Sequence, residues 1–210
     1  MTAQPPVVYV VDDDAAVRKA LSRLLTAAGL RTVGFDSPTA FLEGYDPAAS
    51  GCAVLDIAMP GLNGLELQDA LTARGSDLPI IFLTGHADVP SSVRAMKHGA
   101  FDFLVKPVEA EALLTVVNTA LELHRERRHS RIERTEFEHR LNTLTPRERE
   151  VMVHILAGKL NKQVAADLGT VEKTVKVHRA RMMEKLQVQS LAELARLAER
   201  AGIKPASSES

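Results

Sequence analysis

The chain predicts an α/β domain built on a doubly wound five-stranded parallel sheet, then a helical linker and a small all-α domain of four helices. Three observations carry that expectation. Five short apolar runs alternate with amphipathic stretches over residues 1–121. Apolar residues then become sparse over residues 122–141. Helical periodicity with glycine stops returns over residues 142–204, and Pro205–Ser210 is expected to be a disordered tail.

The apolar runs are Val7–Val11, Leu30–Phe35, Cys52–Leu55, Ile80–Leu83 and Phe101–Val105. Between them, Val17, Leu21, Leu24 and Leu25 recur at helical spacing, and Gly29 is placed to stop that helix. Ser37-Pro38 reads as a cap followed by proline at the first helical position. Leu65, Leu67 and Leu71 mark one further helix, and Val89, Val93 and Met96 another. Strands alternating with helices fold as a parallel sheet with helices on both faces, and functional residues gather at the carboxyl ends of its strands.

From Glu109 the pattern is continuously helical, with Leu113, Leu114, Val117 and Leu121 on one apolar face. His124–Arg131 then contains no apolar residue, which predicts an exposed helical linker over 122–141.

Charge divides the chain in the same places. Residues 1–121 carry a net −6, residues 122–141 a net +1 and residues 142–204 a net +5. A polyanion is the natural partner for the basic part. The single cysteine, Cys52, excludes an internal disulfide and fits a reducing compartment, and its apolar surroundings predict a small buried residue. No secretory signal is expected, and no run approaches the roughly 18 apolar residues that span a bilayer. The expectation is a soluble, cytoplasmic protein with no membrane partner.

The chemistry of the first domain lies at its strand ends. Asp12, Asp13 and Asp14 follow the first run, Asp56 the third, Thr84 the fourth and Lys106 the fifth. In a doubly wound sheet these positions converge on one edge. Clustered carboxylates repel, and a hard divalent cation such as Mg²⁺ resolves the repulsion. The set suits Asp56 as a nucleophile towards phosphorus, with Lys106 neutralising charge and the Thr84 hydroxyl binding a phosphoryl oxygen. Asp14 is expected to be only a helix cap.

Val-Val-Asp-Asp-Asp near the start, Leu-Asp-Ile-Ala-Met-Pro-Gly-Leu-Asn-Gly at 55–64, Thr-Gly-His at 84–86 and Lys-Pro at 106–107 resemble the signature of response-regulator receiver domains. The resemblance implies a flavodoxin-like fold and phosphoryl transfer to Asp56 from a sensor histidine kinase. It implies Mg²⁺ held by Asp13, Asp56 and the Ala58 carbonyl, with Asp12 acting through water. Gly64 would make a turn after the phosphorylation loop, and Thr84 with Phe103 would form a conformational switch. His86, close to Thr84, is expected to influence water access and dephosphorylation.

In the second domain, Thr145-Pro146-Arg147-Glu148 reads as a capped helix start, with Val151, Ile155 and Leu156 buried and Gly158 as the stop. Asn161 is the expected cap of a short helix burying Val164, Ala165 and Leu168. A third helix runs from about Glu172 to Leu186, with Val171, Val175, His178 and Met182 on one face. Its cap position holds Val171, with Thr170 as the alternative cap. Ser190-Leu191-Ala192-Glu193 opens a fourth helix that buries Leu191, Leu194 and Ala198.

A short helix, a four-residue turn and a longer basic helix make a helix-turn-helix pattern, whose second helix enters the major groove of DNA. Leu144-Thr145-Pro146-Arg147-Glu148, Asn161-Lys162 with Ala165, and Thr174-Val175-Lys176-Val177-His178 resemble the LuxR-type output domain of FixJ-like regulators. The resemblance makes Lys176 and Val177 groove-facing. Ala180 stands where the family often has a basic residue, and Lys173, Arg179 and Arg181 are further candidate DNA contacts. It also implies a phosphorylation-promoted homodimer through Asp88–His98 and Phe101–Val105, double-stranded DNA as target, and RNA polymerase as a further partner.

Two alternatives remain at this level. A phosphatase would use the same carboxylate chemistry, but Ala58 stands where its second acid is needed, so no enzyme is expected beyond the receiver's own phosphoryl transfer and slow dephosphorylation. The other alternative is a constitutive DNA-binding regulator whose receiver serves only as a protein-interaction module.

Overall fold

The computed structural model describes residues 5–85 and 96–206. Strands β1 (Val7–Val11), β2 (Arg31–Phe35), β3 (Gly51–Asp56), β4 (Ile80–Thr84) and β5 (Asp102–Val105) form one sheet in the order β2-β1-β3-β4-β5. All four pairings are parallel. Among the described residues the helices are α1 (Ala15–Ala27), α2 (Pro38–Gly44), α3 (Gly64–Ala73), α4 (Ala110–Leu141), α5 (Pro146–Leu156), α6 (Asn161–Asp167), α7 (Glu172–Leu186) and α8 (Leu191–Arg200). No helix of the described residues is long and apolar enough to cross a membrane.

Alternation along the strands builds two separate cores, because successive side chains point to opposite faces. Val7, Tyr9, Val11, Ala53, Leu55 and Phe82 pack with Phe41 of α2 and Leu67 and Leu71 of α3. Val8, Val10, Cys52, Val54, Ile81 and Leu83 pack with Leu21 and Leu25 of α1 and Leu113 and Val117 of α4. Both faces of the central strands are therefore apolar, which is why those strands read as unbroken hydrophobic runs. Cys52 is buried as expected, and burial pushes its thiol up to about 12. Leu30 does not join β2, because its N–H closes the end of α1 on Leu25 O at 3.0 Å, behind Gly29 in the left-handed region (φ 82).

The chain divides into two compact units, Met1–Arg128 and His129–Ser210. The division falls inside the segment expected to be an exposed linker. That segment is helical, being the second half of α4, but it is not exposed throughout. In the first unit His124 is 3% exposed: its Nδ1 accepts from Gly51 N–H at 2.9 Å, and its Nε2 lies 3.3 Å from Asp77 Oδ1. In the second unit Phe137 and Leu141 are core residues, packed with Met152, Met182, Leu186 and Leu194. Glu133 binds Arg196 at 3.1 Å and Arg200 at 2.5 Å, tying α4 to α8.

The second unit follows its caps. The Thr145 hydroxyl accepts from Glu148 N–H, and the Glu148 carboxylate accepts from Thr145 N–H, so two free donors of α5 are satisfied together. Ser190 accepts from Glu193 N–H and opens α8. Four expectations are corrected. The cap of α6 is Leu160, not Asn161, because Gln163 reaches back to accept from Leu160 N–H at 2.7 Å. No side chain caps α7, so Thr170 does not substitute. Val171, expected on one face with Val175 and Met182, is 64% exposed and does not share their buried stripe, since it precedes the helix as its cap residue. Leu191 is 40% exposed, because α8 turns Leu194, Leu197 and Ala198 inward instead.

Candidate functional site

The strand order reverses beside β1, whose neighbours are β2 on one side and β3 on the other. Crevices form there, outside the carboxyl ends of the strands. Asp12 follows β1 and is 1% exposed, and Asp56 closes β3 at 7% exposed. Asp13 is exposed, and the carboxylates of Asp12, Asp13 and Asp56 offer oxygens that all lie within 4.8 Å of one another.

Lys106 completes the set from the end of β5. Its Nζ lies 2.7 Å from Asp12 Oδ2 and 3.3 Å from Asp56 Oδ1. Burial disfavours the ammonium, but the two carboxylates outweigh that penalty and hold its pKa above the ordinary value. Thr84 ends β4 beside it, buried, and its carbonyl accepts from Lys106 N–H at 2.7 Å. Backbone bonding between strand ends therefore gathers the expected acids, hydroxyl and ammonium at one rim.

The surrounding loops hold these groups in place. Asp12 Oδ1 accepts from Asp14 N–H at 2.9 Å. Asp14 caps α1, accepting from Ala16 N–H at 2.7 Å and Val17 N–H at 3.3 Å, as expected. Arg18, which sequence reasoning missed, donates to the carbonyls of Asp12 at 2.7 Å and Asp13 at 3.0 Å. The only signal for it was a basic residue one turn into the helix after the acids. Gly64 does not make a turn. It is the first residue of α3, and a Cβ there would collide with the Asp56 carbonyl oxygen, so glycine lets α3 start hard against the end of β3.

Ala58 lies exposed two residues after Asp56. Phe103 is partly buried, packed against the Tyr9–Phe41–Leu67 core and opposite Phe82 in register. His86 and most of the Asp88–His98 surface, including Val89 and Val93, lie outside the described residues.

Among the described residues, three carboxylates outnumber the Lys106 ammonium and the Arg18 guanidinium beside them and leave an excess of negative charge at this rim. A divalent cation with oxygen ligands fits that donor set.

In the second unit, α6 and α7 are joined through Gly169, whose left-handed backbone (φ 60) makes the turn. Val175 and Met182 are buried under α7, with His178 half-buried at the edge of that stripe. Lys173, Lys176, Val177, Ala180 and Arg181 stand on the exposed side. Arg179 does not share that open face. It is half-buried and its Nη1 donates to Asn161 Oδ1 of α6 at 3.3 Å.

Known proteins share both halves. A family model described as a response regulator receiver domain matches residues 8–118, and one described as bacterial regulatory proteins, luxR family, matches residues 142–198. The response regulator protein TmoT of Ectopseudomonas mendocina is 44% identical over 200 residues, 95% of this chain and 91% of its own. The transcriptional regulatory protein FixJ of Bradyrhizobium diazoefficiens is 43% identical over 196 residues, 93% of this chain and 96% of its own. Among solved structures, the response regulator StyR has a TM-score of 0.82 at 47% identity, over 93% of this chain and 99% of that one. Full-length FixJ from B. japonicum has a TM-score of 0.58 at 42% identity, over 94% and 97% of the two chains. The two family matches follow one another along one chain, as they do in these relatives: the protein belongs to the response regulators, with a receiver domain joined to a LuxR-type DNA-binding domain, and is a transcriptional regulator.

Proposed function

We propose that Asp56 accepts a phosphoryl group from the phosphohistidine of a sensor kinase and that the phosphorylated chain binds promoter DNA as a homodimer. The observation that carries this reading is the Lys106 ammonium within reach of both Asp12 and Asp56, with Asp13 in the same carboxylate cluster. In the transfer, an Asp56 oxygen forms a bond to phosphorus as the P–N bond breaks and the imidazole leaves. Lys106 offsets charge on the transferring oxygens, and the Thr84 hydroxyl binds one of them. Asp12, Asp13, Asp56 and the Ala58 carbonyl are the residues that would hold Mg²⁺, which supplies further charge neutralisation when bound.

The response is a population shift. Thr84 drawn towards the phosphoryl group leaves space that Phe103 follows into, altering the surface around Phe101–Val105 through which two copies pair. The working domains are then 1–121 for phosphoryl acceptance and 142–204 for DNA, with 122–141 joining them. Two copies of α7 would enter successive major grooves, which calls for half-sites about one helical turn apart. Lys173, Lys176, Val177, Ala180 and Arg181 supply the contacts, Arg179 serves after release from Asn161, and bound dimers act on RNA polymerase.

The test is phosphorylation by acetyl phosphate with Mg²⁺, followed by footprinting across the genome. Wild type takes up phosphate and gains occupied sites, whereas Asp56→Asn does neither. Equal occupancy by both proteins would replace this reading with a constitutive binder.

A further inference from the structure

Glu172, the first residue of α7, carries negative charge on the helix that is to approach a polyanion. Its Oε1 lies 2.8 Å from Nζ of Lys176, one turn later, and both side chains are largely exposed, at 45% and 62%. Positions four apart form one ridge of a helix, so the acid and the ammonium present a single paired unit on one flank of the exposed side. The hydrogen bond from Lys176, with its charge, holds the Glu172 carboxyl below the usual range, so it is ionised at neutral pH. An ionised carboxylate opposes general attraction to phosphate, so a phosphate-binding patch alone gives no reason for it.

Base edges do give one. A carboxylate only accepts hydrogen bonds. In the major groove the amino donors are N4 of cytosine and N6 of adenine, and adenine places its N7 acceptor beside the donor, where it repels a carboxylate. Cytosine presents no acceptor of its own in that groove. Its guanine partner presents O6 and N7, which take a lysine. Residues near the start of a recognition helix are those that reach base edges.

We propose that Glu172 is a specificity-determining residue of the DNA-binding domain, accepting from the N4 amino group of a cytosine while Lys176, held beside it, donates to guanine O6 and N7 of the same or the neighbouring pair. This rests on the reading of α7 as the groove helix. Glu172 lowers affinity for DNA in general and raises the contrast between sequences.

The competing role is structural: an acid in the first turn favours the helix dipole. Selection from duplexes with a randomised core separates the two, using the full chain treated with acetyl phosphate as wild type, Glu172→Gln and Glu172→Ala. Wild type is expected to enrich a C·G pair at one position of each half-site. Both variants should lose about tenfold of that preference, in keeping with the roughly 1–3 kcal/mol carried by a good base contact, and should bind random duplex more tightly. Variants that keep the wild-type preference at every position overturn the assignment alone, whether or not their melting temperature falls. A uniform loss of affinity with the same preference also overturns it. Wild type enriching no sequence overturns the groove reading of α7 and this assignment with it.

Discussion

Asp13 and Glu148 show how differently two carboxylates serve one chain. Asp13 adds a third negative charge beside Asp12 and Asp56, which the Lys106 ammonium offsets only in part. On the proposed reading its value lies in cation binding. Mg²⁺ at a hundredfold above its Kd should stabilise the first unit by about 2.7 kcal/mol, and Asp13→Asn should lose most of that gain. Thermal unfolding with and without Mg²⁺ checks this, and an equal Mg²⁺ effect in both proteins would remove Asp13 from the ligand set. Glu148 is structural instead: it is buried, accepts from Thr145 N–H, and meets Lys185 Nζ at 2.6 Å. Burial works against its charge, but the Lys185 and Thr145 hydrogen bonds outweigh this and bring its pKa below the ordinary 4.5. A folded pKa below the unfolded one means that the carboxylate's contribution is complete above pH 4.5 and is lost as pH falls through the depressed folded value. Glu148→Gln should therefore cost about 1–2 kcal/mol at neutral pH, with the gap to wild type closing in acid. Hydrogen exchange of α5 and α7 amides measures that gap, and a gap independent of pH would contradict the assignment.

Among the elements, α4 departs most from what its sequence suggests. Its second half was expected to be exposed, yet Phe137 and Leu141 belong to the core of the second unit and Glu133 binds two arginines of α8. Phe137→Ala should cost about 3–5 kcal/mol in the second unit, because it empties a fully enclosed site. Ile132→Ala, at a half-exposed position on the same helix, should change stability by no more than about 0.5 kcal/mol. Exchange protection in α7 and α8 reads both, and equal effects would mean that α4 is only a tether. The contrast also marks what a sequence discloses. Caps at Asp14, Ser37, Thr145 and Ser190 were legible because each hydroxyl or carboxylate meets an N–H two or three residues away. The acidic rim was legible because each group directly ends a strand. His124 was not, since its partners Gly51 and Asp77 lie 73 and 47 positions away, and only its place three residues beyond Leu121 on the apolar face hinted at burial. Arg18 and Arg179 were missed or misplaced for a related reason: a long cation is steered by whichever oxygens the fold brings near, and periodicity does not record them.

At the scale of the whole molecule, a net −6 over residues 1–121 is joined to a net +5 over residues 142–204. Screening decides how far one reaches the other's ligand. At physiological salt the Debye length is about 8 Å, so charges in contact with DNA dominate and more distant ones fade. The contacts proposed for α7 then divide into two kinds. Lysine or arginine on phosphate releases counterions, and the slope of log affinity against log salt changes by about 0.9 for each contact on duplex DNA. An apolar contact, as proposed for Val177, 43% exposed on α7, releases none. Lys173→Ala should therefore weaken binding to all sequences alike and flatten the salt slope by about one. Val177→Ala should weaken the selected sequence more than random duplex and leave the slope unchanged. Titrations of both variants over a range of salt, on selected and random duplexes, distinguish the two kinds of contact. A flattened slope for Val177→Ala would mean that its loss displaces the helix, and with it the neighbouring cations, from the phosphates.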